Sequence, residues 1–345
     1  MTDDSTSELQ VSVLMPCYNV ESTVDETLRS LRAQSMENFE LVVVDDGSSD
    51  NTLAILEGWA RRDGRIRVLA CEHAGIIPAL NTGWKACRGA YVARMDADDL
   101  CHPARLEKQA RFLDQNPEIA LVAARVEGFP EEDMREGFRV YIDWLNSLIS
   151  PDEIAREIYI ESPLAHPSVM MRREWLTKMG GYQEHGWPED YDLWLRMHLA
   201  GAKMGKIPEV LLYWREHPAR LTRTDSRYAV EAFLKAKAHY LCLGPLENRD
   251  AVVIWGSGQM GKRLSKHLLR DGAPVKAFID IDPDKAGRTR RGKPIYSPGD
   301  LAGLLAGYQT PAVLAAVSSR GARQKIKEYL DEMGLREGED WWGVA

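Results

Sequence analysis

Apolar residues in the first half of the chain form short runs, and stretches with helical spacing separate these runs. Four runs predict buried strands, namely Val11–Met15, Phe39–Val44, Ile66–Ala70 and Tyr91–Arg94. Between them, apolar residues recur every three or four positions, as they do on the buried face of a helix. Strands that alternate with helices in this way predict a doubly wound, mainly parallel α/β sheet.

The pattern is less regular after the fourth strand. We predict a helix from Pro103 to Asn116, a strand over Ile119–Ala124 and an exposed irregular segment over residues 127–136. Further elements are predicted as helices over 141–149, 154–160 and after Pro188, and as strands over 166–173 and 210–212. These elements extend the same sheet.

A second, shorter alternation begins at residue 251. An apolar strand, Ala251–Trp255, runs into a glycine-rich turn and a helix, and a further strand covers Val275–Ile279. We therefore divide the chain into a disordered tail (1–10), a large α/β domain (11–225), a helical linker (226–248) and a smaller Rossmann-like α/β domain (249–345). The predicted fold is a mixed, mainly parallel sheet followed by a second small sheet.

Composition limits the partners and the cellular compartment that we expect for the protein. The 345 residues carry a formal net charge of −8, so a nucleic-acid partner would need a local basic patch. Five scattered cysteines form no CxxC pair, which is typical of free thiols in a reducing compartment. No signal peptide and no apolar stretch of about 20 residues is present. We expect a cytoplasmic protein, with peripheral contact at the inner face of the membrane still open.

Three aspartates follow the fourth strand within Met95-Asp96-Ala97-Asp98-Asp99. Carboxylates this close raise one another's pKa unless a cation lies between them. Mg²⁺ or Mn²⁺ would suit such oxygen ligands. An acidic turn that caps the next helix is the alternative, because aspartate is a favoured residue at helix N-termini.

The predicted fold favours the metal site over the cap. Ligands of parallel sheets bind outside the carboxyl ends of the strands. Asp45 and Asp46 end the second strand, the Tyr18-Asn19 loop follows the first, and the acidic cluster follows the fourth. These groups should therefore converge on one edge.

Four segments resemble those of family 2 glycosyltransferases of the GT-A fold. They are Val-Ser-Val-Leu-Met-Pro-Cys-Tyr-Asn (11–19), Val-Val-Asp-Asp-Gly-Ser-Ser-Asp (43–50), Ala-Leu-Asn-Thr-Gly (79–83) and Met-Asp-Ala-Asp-Asp (95–99). The resemblance covers residues 11 to about 217. It implies transfer of a sugar from a nucleotide-diphosphate donor, with inversion at the anomeric carbon.

The resemblance also assigns roles to individual residues. It implies a nucleotide-sugar site formed by Pro16, Tyr18, Asn19, Asp45, Asp46, Asn81 and Asp96. Asp98 resembles the direct ligand of Mn²⁺ or Mg²⁺, and His217 a further metal or phosphate ligand; a solvated loop histidine is the alternative for His217. Leu80 departs from the Arg that many relatives carry at that position.

Glu189 and Asp190 precede a helix, where acidic residues can simply complement the helix dipole. They also match the family's Glu-Asp pair, in which the aspartate is the catalytic base. An inverting transfer needs one carboxylate to take the proton of the acceptor hydroxyl, and we assign that role to Asp190 with Glu189 beside it. No Gln-x-x-Arg-Trp run follows, which favours a non-processive enzyme. His166 could touch the phosphates or be a hydrogen-bonded structural residue.

Gly256, Gly258 and Gly261, with Asp280 further on, form a candidate second nucleotide-type loop. The strand–glycine-turn–helix order suits close approach of a phosphate to a helix N-terminus. A module kept for packing or acceptor docking is the alternative.

We predict an enzyme that uses a nucleotide sugar, most simply a UDP-sugar, and a saccharide or lipid-linked saccharide acceptor. The chain also resembles glycosyltransferases that galactosylate queuosine in tRNA, in Ile142-Asp143-Trp144-Leu145-Asn146, Pro188-Glu189-Asp190 and Ile254-Trp255-Gly256. That resemblance makes tRNA the alternative acceptor. A non-catalytic nucleotide-sugar-binding protein is a third hypothesis. The oligomeric state cannot be predicted from the sequence.

Overall fold

The computed structural model describes residues 9–319 and 321–345, so most of the tail predicted over residues 1–10 lies outside the described residues. The described chain forms two compact units. The first contains residues up to 154 together with 163–185 and 189–220, and the second contains 155–162, 186–188 and 221–345. The stretch predicted as a linker, 226–248, contributes a helix to the second unit.

The first unit is built on an eight-stranded sheet with the order β3-β2-β1-β4-β7-β6-β8-β5. Its strands are β1 (Val11–Cys17), β2 (Phe39–Asp45), β3 (Ile66–Ala70), β4 (Tyr91–Arg94), β5 (Leu100–Cys101), β6 (Ile119–Phe129), β7 (Met170–Arg172) and β8 (Lys203–Arg215). Strands β1 to β4 pair in parallel, as predicted. Strand β7 is antiparallel to both β4 and β6, so the sheet is mixed.

Helices connect these strands, and for several of the helices the sequence spacing indicated the apolar face. They are α1 (Val24–Arg32), α2 (Thr52–Ala60), α3 (Ile76–Ala86), α4 (Arg105–Gln115), α5 (Glu136–Ser147), α6 (Pro151–Glu157), α7 (Arg173–Met179) and α8 (Glu189–Leu199). In α1, for example, Val24, Leu28 and Leu31 are at most 1% exposed and join the core beneath β1 and β2.

Several predicted elements differ in the structure; for example, the helices predicted over 141–149 and 154–160 are α5 (Glu136–Ser147) and α6 (Pro151–Glu157). The helix predicted from Pro103 begins at Arg105, and residues 100–101 before it pair antiparallel with β8. The segment 127–136 is not simply irregular, since β6 continues to Phe129 beside β8 and α5 begins at Glu136. The strand predicted over 166–173 is a 3-10 turn (His166–Ser168) followed by the short strand β7.

The second unit has a six-stranded sheet with the order β11-β12-β10-β9-β13-β14. Its strands are β9 (Ala251–Trp255), β10 (Val275–Ile279), β11 (Thr289–Arg290), β12 (Lys293–Tyr296), β13 (Pro311–Ala315) and β14 (Trp341–Gly343). Its helices are α9 (Leu221–Thr224), α10 (Val230–Leu243), α11 (Gln259–Arg270), α12 (Leu301–Leu305) and α13 (Ala322–Glu332). All the pairs except β11–β12 are parallel, which gives the predicted Rossmann-like α/β arrangement.

Candidate active site

An acidic turn follows β4 at the carboxyl end of the parallel strands. Carboxylate oxygens of Asp96, Asp98 and Asp99 all lie within 4.8 Å of one another. The turn is anchored to α1, because the Thr27 hydroxyl donates a hydrogen bond to Asp99 O at 2.9 Å. The fold therefore brings three carboxylates together at the edge where ligands of parallel sheets bind.

Asp98 is paired with a histidine from the segment after β8. His217 Nε2 lies 2.8 Å from Asp98 Oδ2, although 119 positions separate the two residues. Burial tends to raise the pKa of Asp98, but the hydrogen bond and the charge of His217 outweigh burial and hold that pKa below its usual value. An ionised carboxylate beside an imidazole is a donor pair that binds divalent cations such as Mn²⁺.

Asp96 is paired with a buried arginine instead. The Arg94 side chain is 2% exposed, and its Nη1 forms an ion pair with Asp96 Oδ1. Burial raises the pKa of Asp96; Arg94 opposes that rise, and the charge of Asp98 adds to it. Asp96 is thus held from inside the protein, while part of its carboxylate still reaches the surface.

Asp99 is the most deeply buried of the three aspartates, at 1% exposure. Its Oδ1 accepts from Arg215 N at 2.8 Å, whereas its Oδ2 has no hydrogen-bond partner among the described residues. Burial and the charges of Asp98 and Asp96 raise the pKa of Asp99 well above its usual value. A divalent cation would supply the missing partner and offset this repulsion, so the three side chains fit Mg²⁺ or Mn²⁺.

A second buried carboxylate, Asp45, lies at the end of β2. Ser48 N donates to Asp45 Oδ2 at 3.2 Å, and Asp45 Oδ1 has no hydrogen-bond partner within the part of the chain that the structure describes. Buried polar atoms are almost always paired, so an unpaired oxygen of this kind suits an N–H donor of a bound molecule.

The neighbouring Asp46 is engaged inside the protein. Ala74 N and Gly75 N each donate to its carboxylate at 2.9 Å, and His73 Nδ1 lies 2.9 Å from Asp46 Oδ2. In the structure, Asp46 ties the loop before α3 to the end of β2. Two adjacent aspartates of one motif therefore face different partners.

The loop after β1 presents an aromatic surface. The Tyr18 ring, with 45% of the residue exposed, stacks on the His73 imidazole with centroids 4.0 Å apart and planes 18° apart. Asn19 shapes the loop, because it adopts φ 51° and its Oδ1 accepts from Ser49 N at 2.8 Å. Pro16 lies within β1 itself. Stacked rings beside a polar rim suit the flat face of a nucleobase.

Asn81, in α3, binds protein backbone. Its Nδ2 donates to Tyr182 O at 2.8 Å, and Tyr182 N donates to Asn81 Oδ1 at 3.0 Å. Trp84 Nε1 also donates to Asn81 Oδ1, at 2.9 Å. The side chain predicted to belong to the nucleotide-sugar site therefore holds the turn that carries Tyr182.

Glu189 and Asp190 are the first two residues of α8. Glu189 is 1% exposed, whereas Asp190 is half-buried and its Oδ1 accepts from Tyr191 N at 2.7 Å. Burial, with the charge of Glu189 added, raises the pKa of Asp190 to about 8. A carboxylate with a pKa in this range can accept a proton efficiently near neutral pH.

His166 is buried at 6% exposure, and its Nε2 lies 3.0 Å from the Tyr182 hydroxyl. Its Nδ1 lies 3.8 Å from Glu189 Oε1. Of the two roles considered for His166, the structure shows the hydrogen-bonded one.

The sequence did not single out Arg94 or Tyr182 as site residues. Arg94 is hidden in an apolar strand run, and Tyr182 in a Gly-Gly-Tyr turn. The sequence did contain a signal for Arg94. It is a charged residue at the end of an apolar run, two positions before an aspartate.

The glycine turn of the second unit connects β9 to α11. Gly256 has φ +115°, and a Cβ there would lie 2.7 Å from Ala316 O; a Cβ on Gly261 would lie 1.9 Å from Gly256 O. A Cβ on Gly258, in contrast, would meet no atom of the described residues within 4 Å. Asp280 Oδ2 accepts from Ser257 N at 3.1 Å and from the Ser257 hydroxyl at 2.5 Å. The Asp280 carboxylate thus accepts hydrogen bonds from a residue of the glycine turn.

None of the helices in the described part of the chain is long and apolar enough to cross a lipid bilayer.

Comparison with known proteins identifies relatives of the first unit. The family model described as "Glycosyl transferase family 2" matches residues 12–180. The amylovoran biosynthesis glycosyltransferase AmsE of Erwinia amylovora is 33% identical over 204 residues, which is 58% of this chain and 74% of that protein. The O-antigen biosynthesis glycosyltransferase WbnJ of Escherichia coli is 26% identical over 238 residues, or 66% of this chain and 90% of that one.

A solved structure shares the fold. The crystal structure of S. aureus TarS 1-349 in complex with UDP-GlcNAc matches with a TM-score of 0.56 and 20% identity, over 76% of this chain and 71% of that chain. At this identity the likeness concerns the fold alone.

Proposed function

Because the chain belongs to glycosyl transferase family 2 and is a glycosyltransferase, we propose that it is an inverting, metal-dependent, non-processive enzyme with a UDP-sugar donor. The proposed acceptor is a saccharide or a lipid-linked saccharide. The observation that carries the proposal is the cluster of Asp96, Asp98 and Asp99, whose oxygens lie within 4.8 Å of one another, with His217 bonded to Asp98.

Asp98 and His217 would hold the cation, with Asp99 Oδ2 as a further oxygen. A divalent ion bound there supplies Lewis-acid stabilisation of the negative charge that grows on the departing nucleotide diphosphate. Asp96 lies beside it and is oriented by Arg94, which suits a contact to the ribose. Asp45 Oδ1 is the acceptor available for an N–H of the base, and Tyr18 offers the stacking face.

Asp190 is the proposed general base. In-line attack at the anomeric carbon requires that the acceptor hydroxyl lose its proton as the new bond forms. A carboxylate whose pKa is about 8 holds that proton well enough to take it from the hydroxyl. It is half ionised at about pH 8, so the fraction in the base form increases as pH rises from neutrality. Glu189 is buried beside it and supports its position.

Two lines of support favour a saccharide acceptor. AmsE is named for amylovoran biosynthesis and WbnJ for O-antigen biosynthesis. The formal charge of −8 also gives this chain no overall attraction for a polyanion such as tRNA. A tRNA acceptor would require binding that weakens steeply as salt increases.

The test measures UDP release from a panel of UDP-sugars with saccharide acceptors, with and without Mn²⁺ or Mg²⁺. Asp98→Asn should abolish metal-dependent turnover and weaken metal-dependent UDP binding. Asp190→Asn should lower turnover by about 10²–10⁴-fold while UDP binding is retained. Asp133→Asn, on an exposed 3-10 turn, is the matched control and should behave as wild type.

Full turnover of Asp98→Asn, or turnover of the wild type that no divalent ion affects, would refute the metal assignment. Tight UDP-sugar binding without release of UDP for any acceptor would instead favour the non-catalytic binding protein. Transfer to tRNA with no transfer to saccharides would replace the proposed acceptor.

A further inference from the structure

Behind the Glu189–Asp190 pair lies a chain of buried polar side chains. The Tyr182 hydroxyl lies 3.0 Å from His166 Nε2, and His166 Nδ1 lies 3.8 Å from Glu189 Oε1. Tyr182 is 3% exposed, His166 6% and Glu189 1%. Three polar groups packed in this way, away from water, fix one another's orientation because a group that turns away loses a buried polar contact.

The tyrosine end of the chain is held by its backbone. Asn81 makes two hydrogen bonds to the backbone of Tyr182, of 2.8 and 3.0 Å. The preceding Gly181 has φ +77°, and a Cβ there would lie 2.4 Å from Trp84 Nε1. The backbone of Tyr182 is therefore held in place, and the burial of its ring restricts where the hydroxyl can lie.

Helix α8 is tied to the same turn. Arg196 donates from Nη2 to Gly181 O at 3.0 Å and from Nη1 to Met179 O at 2.9 Å, and its Nε donates to Asp192 Oδ2 at 2.7 Å. The element that carries Glu189 and Asp190 is thus locked to the element that carries Tyr182. A rotation of α8 would have to break the two bonds from Arg196 to the turn, whereas the Arg196–Asp192 bond lies within α8 and orients the guanidinium.

The histidine in the middle is neutral. Burial and the nearby charge of Arg94 hold the pKa of His166 well below its usual value, so its ring has one N–H donor and one acceptor nitrogen. The carboxylate of Glu189 favours the N–H on Nδ1, and the Tyr182 hydroxyl then donates to Nε2. In this arrangement the Tyr182 hydroxyl donates to His166 Nε2, and the N–H on His166 Nδ1 points toward the Glu189 carboxylate.

We propose that His166 and Tyr182 are positioning residues that orient the Glu189 carboxylate and, through it, the Asp190 base. The inference rests on the proposed function, in which Asp190 accepts the proton of the acceptor hydroxyl. His166 Nδ1 faces the Glu189 carboxylate at 3.8 Å, so the polar edge of the ring is turned toward that charge. If the ring loses this orientation, the charge of Glu189 acts more strongly on Asp190.

The charged and titratable groups around this chain come from several elements. Arg94 of β4 acts on His166, Tyr182, Glu189 and Asp190, and Cys87 lies within electrostatic reach of Tyr182. Arg94 and Cys87 are unchanged in the variants below. A change in the titration of Asp190 can then be assigned to the positioning residues.

The test compares Tyr182→Phe with Tyr91→Phe in the full-length protein. Tyr91 is also buried and also loses a hydroxyl bond, to Asp114 at 2.5 Å, but it lies at the start of β4, away from the site. Tyr182→Phe should lower kcat by about tenfold or more and move the midpoint of the pH–rate profile to higher pH by about half a unit or more. UDP affinity should stay within about twofold of wild type, and Tyr91→Phe should change none of these quantities.

Two substitutions of His166 distinguish the effect of its polar contact on activity from the effect of its packing. His166→Asn retains an amide donor near the position of Nδ1 and should recover part of the activity that His166→Leu loses. Equal loss in both variants, or a wild-type pH–rate profile in Tyr182→Phe, would overturn the proposal.

A titration that needs no acceptor keeps this inference separate from the proposed function. The carboxyl ¹³C signal of Asp190, assigned by its loss in Asp190→Asn, should titrate at higher pH in Tyr182→Phe than in wild type. An unchanged or lower midpoint overturns the positioning role. Absence of sugar transfer in the wild type would defeat the proposed function alone, because the titration is measured without transfer.

Discussion

Replacement of Asp190 by asparagine distinguishes a catalytic carboxylate from a simple helix cap by the sign of its effect on stability. Asp190 begins α8 and is half-buried beside Glu189. If it served only to complement the helix dipole, its loss would destabilise the protein. If burial and the charge of Glu189 disfavour the ionised Asp190 carboxylate, replacing it will stabilise the protein while activity disappears.

The magnitude follows from the raised pKa. A folded-state pKa of about 8, against an ordinary value of 3.8, means that the folded protein holds the proton more tightly than the unfolded chain does. The stability linked to that proton is fully present below about pH 4 and is lost as pH rises toward 8. At about 1.4 kcal/mol per pKa unit, the loss at pH 7 is at most about 4 kcal/mol, and because Glu189 shares the interaction we expect about 2 kcal/mol. A lost dipole interaction of about 0.5 kcal/mol reduces the net gain only slightly.

The assay is urea unfolding of wild type and Asp190→Asn at pH 5, 7 and 8.5, followed by circular dichroism. The variant should be more stable at pH 7 and 8.5, and the difference should shrink at pH 5. Asp192→Asn, two positions along the same helix, is the control with opposite sign. Asp192 is fully buried and accepts from Arg196 Nε at 2.7 Å, so its loss should destabilise the protein by about 1–3 kcal/mol.

A lower stability of Asp190→Asn at every pH would refute this reasoning and return Asp190 to the role of a helix cap. A stabilisation that does not depend on pH would also refute it, because the effect would then not come from ionisation.

Three further predictions concern the same unit. The kcat/KM of the wild type should rise with pH and level off above about 8, because Asp190 must lose its proton before it can act as a base; a pH–rate profile measures this. Gly181→Ala should lower the melting temperature, because φ is +77° and the new methyl group would lie 2.4 Å from an indole nitrogen, whereas Gly137→Ala, where the new methyl would meet no described atom within 4 Å, should not. Arg94→Met should lower the free energy of unfolding by about 2–4 kcal/mol in urea titrations, because Asp96 would lose its partner, whereas Arg94→Lys should lose less.

The order of strands and helices in the first unit could be predicted because each element has a strong local pattern. The predicted parallel pairing of β1 to β4 is confirmed, and with it the placement of the acidic turn at a carboxyl strand end. The antiparallel strand β7 could not be predicted in the same way. Its position between β4 and β6 depends on pairing across many residues, such as Tyr91 with Arg172, and no local pattern encodes this.

Residue types in the motifs indicated where polar groups gather, but not what each one contacts. Asp45 and Asp46 are adjacent and chemically identical, yet Asp46 is used by the backbone amides of residues 74 and 75 while Asp45 keeps an oxygen that no described residue pairs. Asn81 likewise binds the backbone of Tyr182, about a hundred positions later. Such partners are set by tertiary packing, so only the structure could reveal them.

Arg94 offsets the repulsion among the carboxylates that the fold brings together around it. Its guanidinium pairs with Asp96, and its charge also lowers the pKa of Asp190. Arginine stays protonated at every pH at which the protein is folded, whereas a buried lysine could lose its proton. The positive charge of Arg94 therefore stays constant through the pH range in which Asp190 titrates. A pH dependence of activity near neutrality is therefore expected to follow the ionisation of Asp190, while the buried arginine offsets part of the negative charge of Asp96 and Asp190 throughout that range.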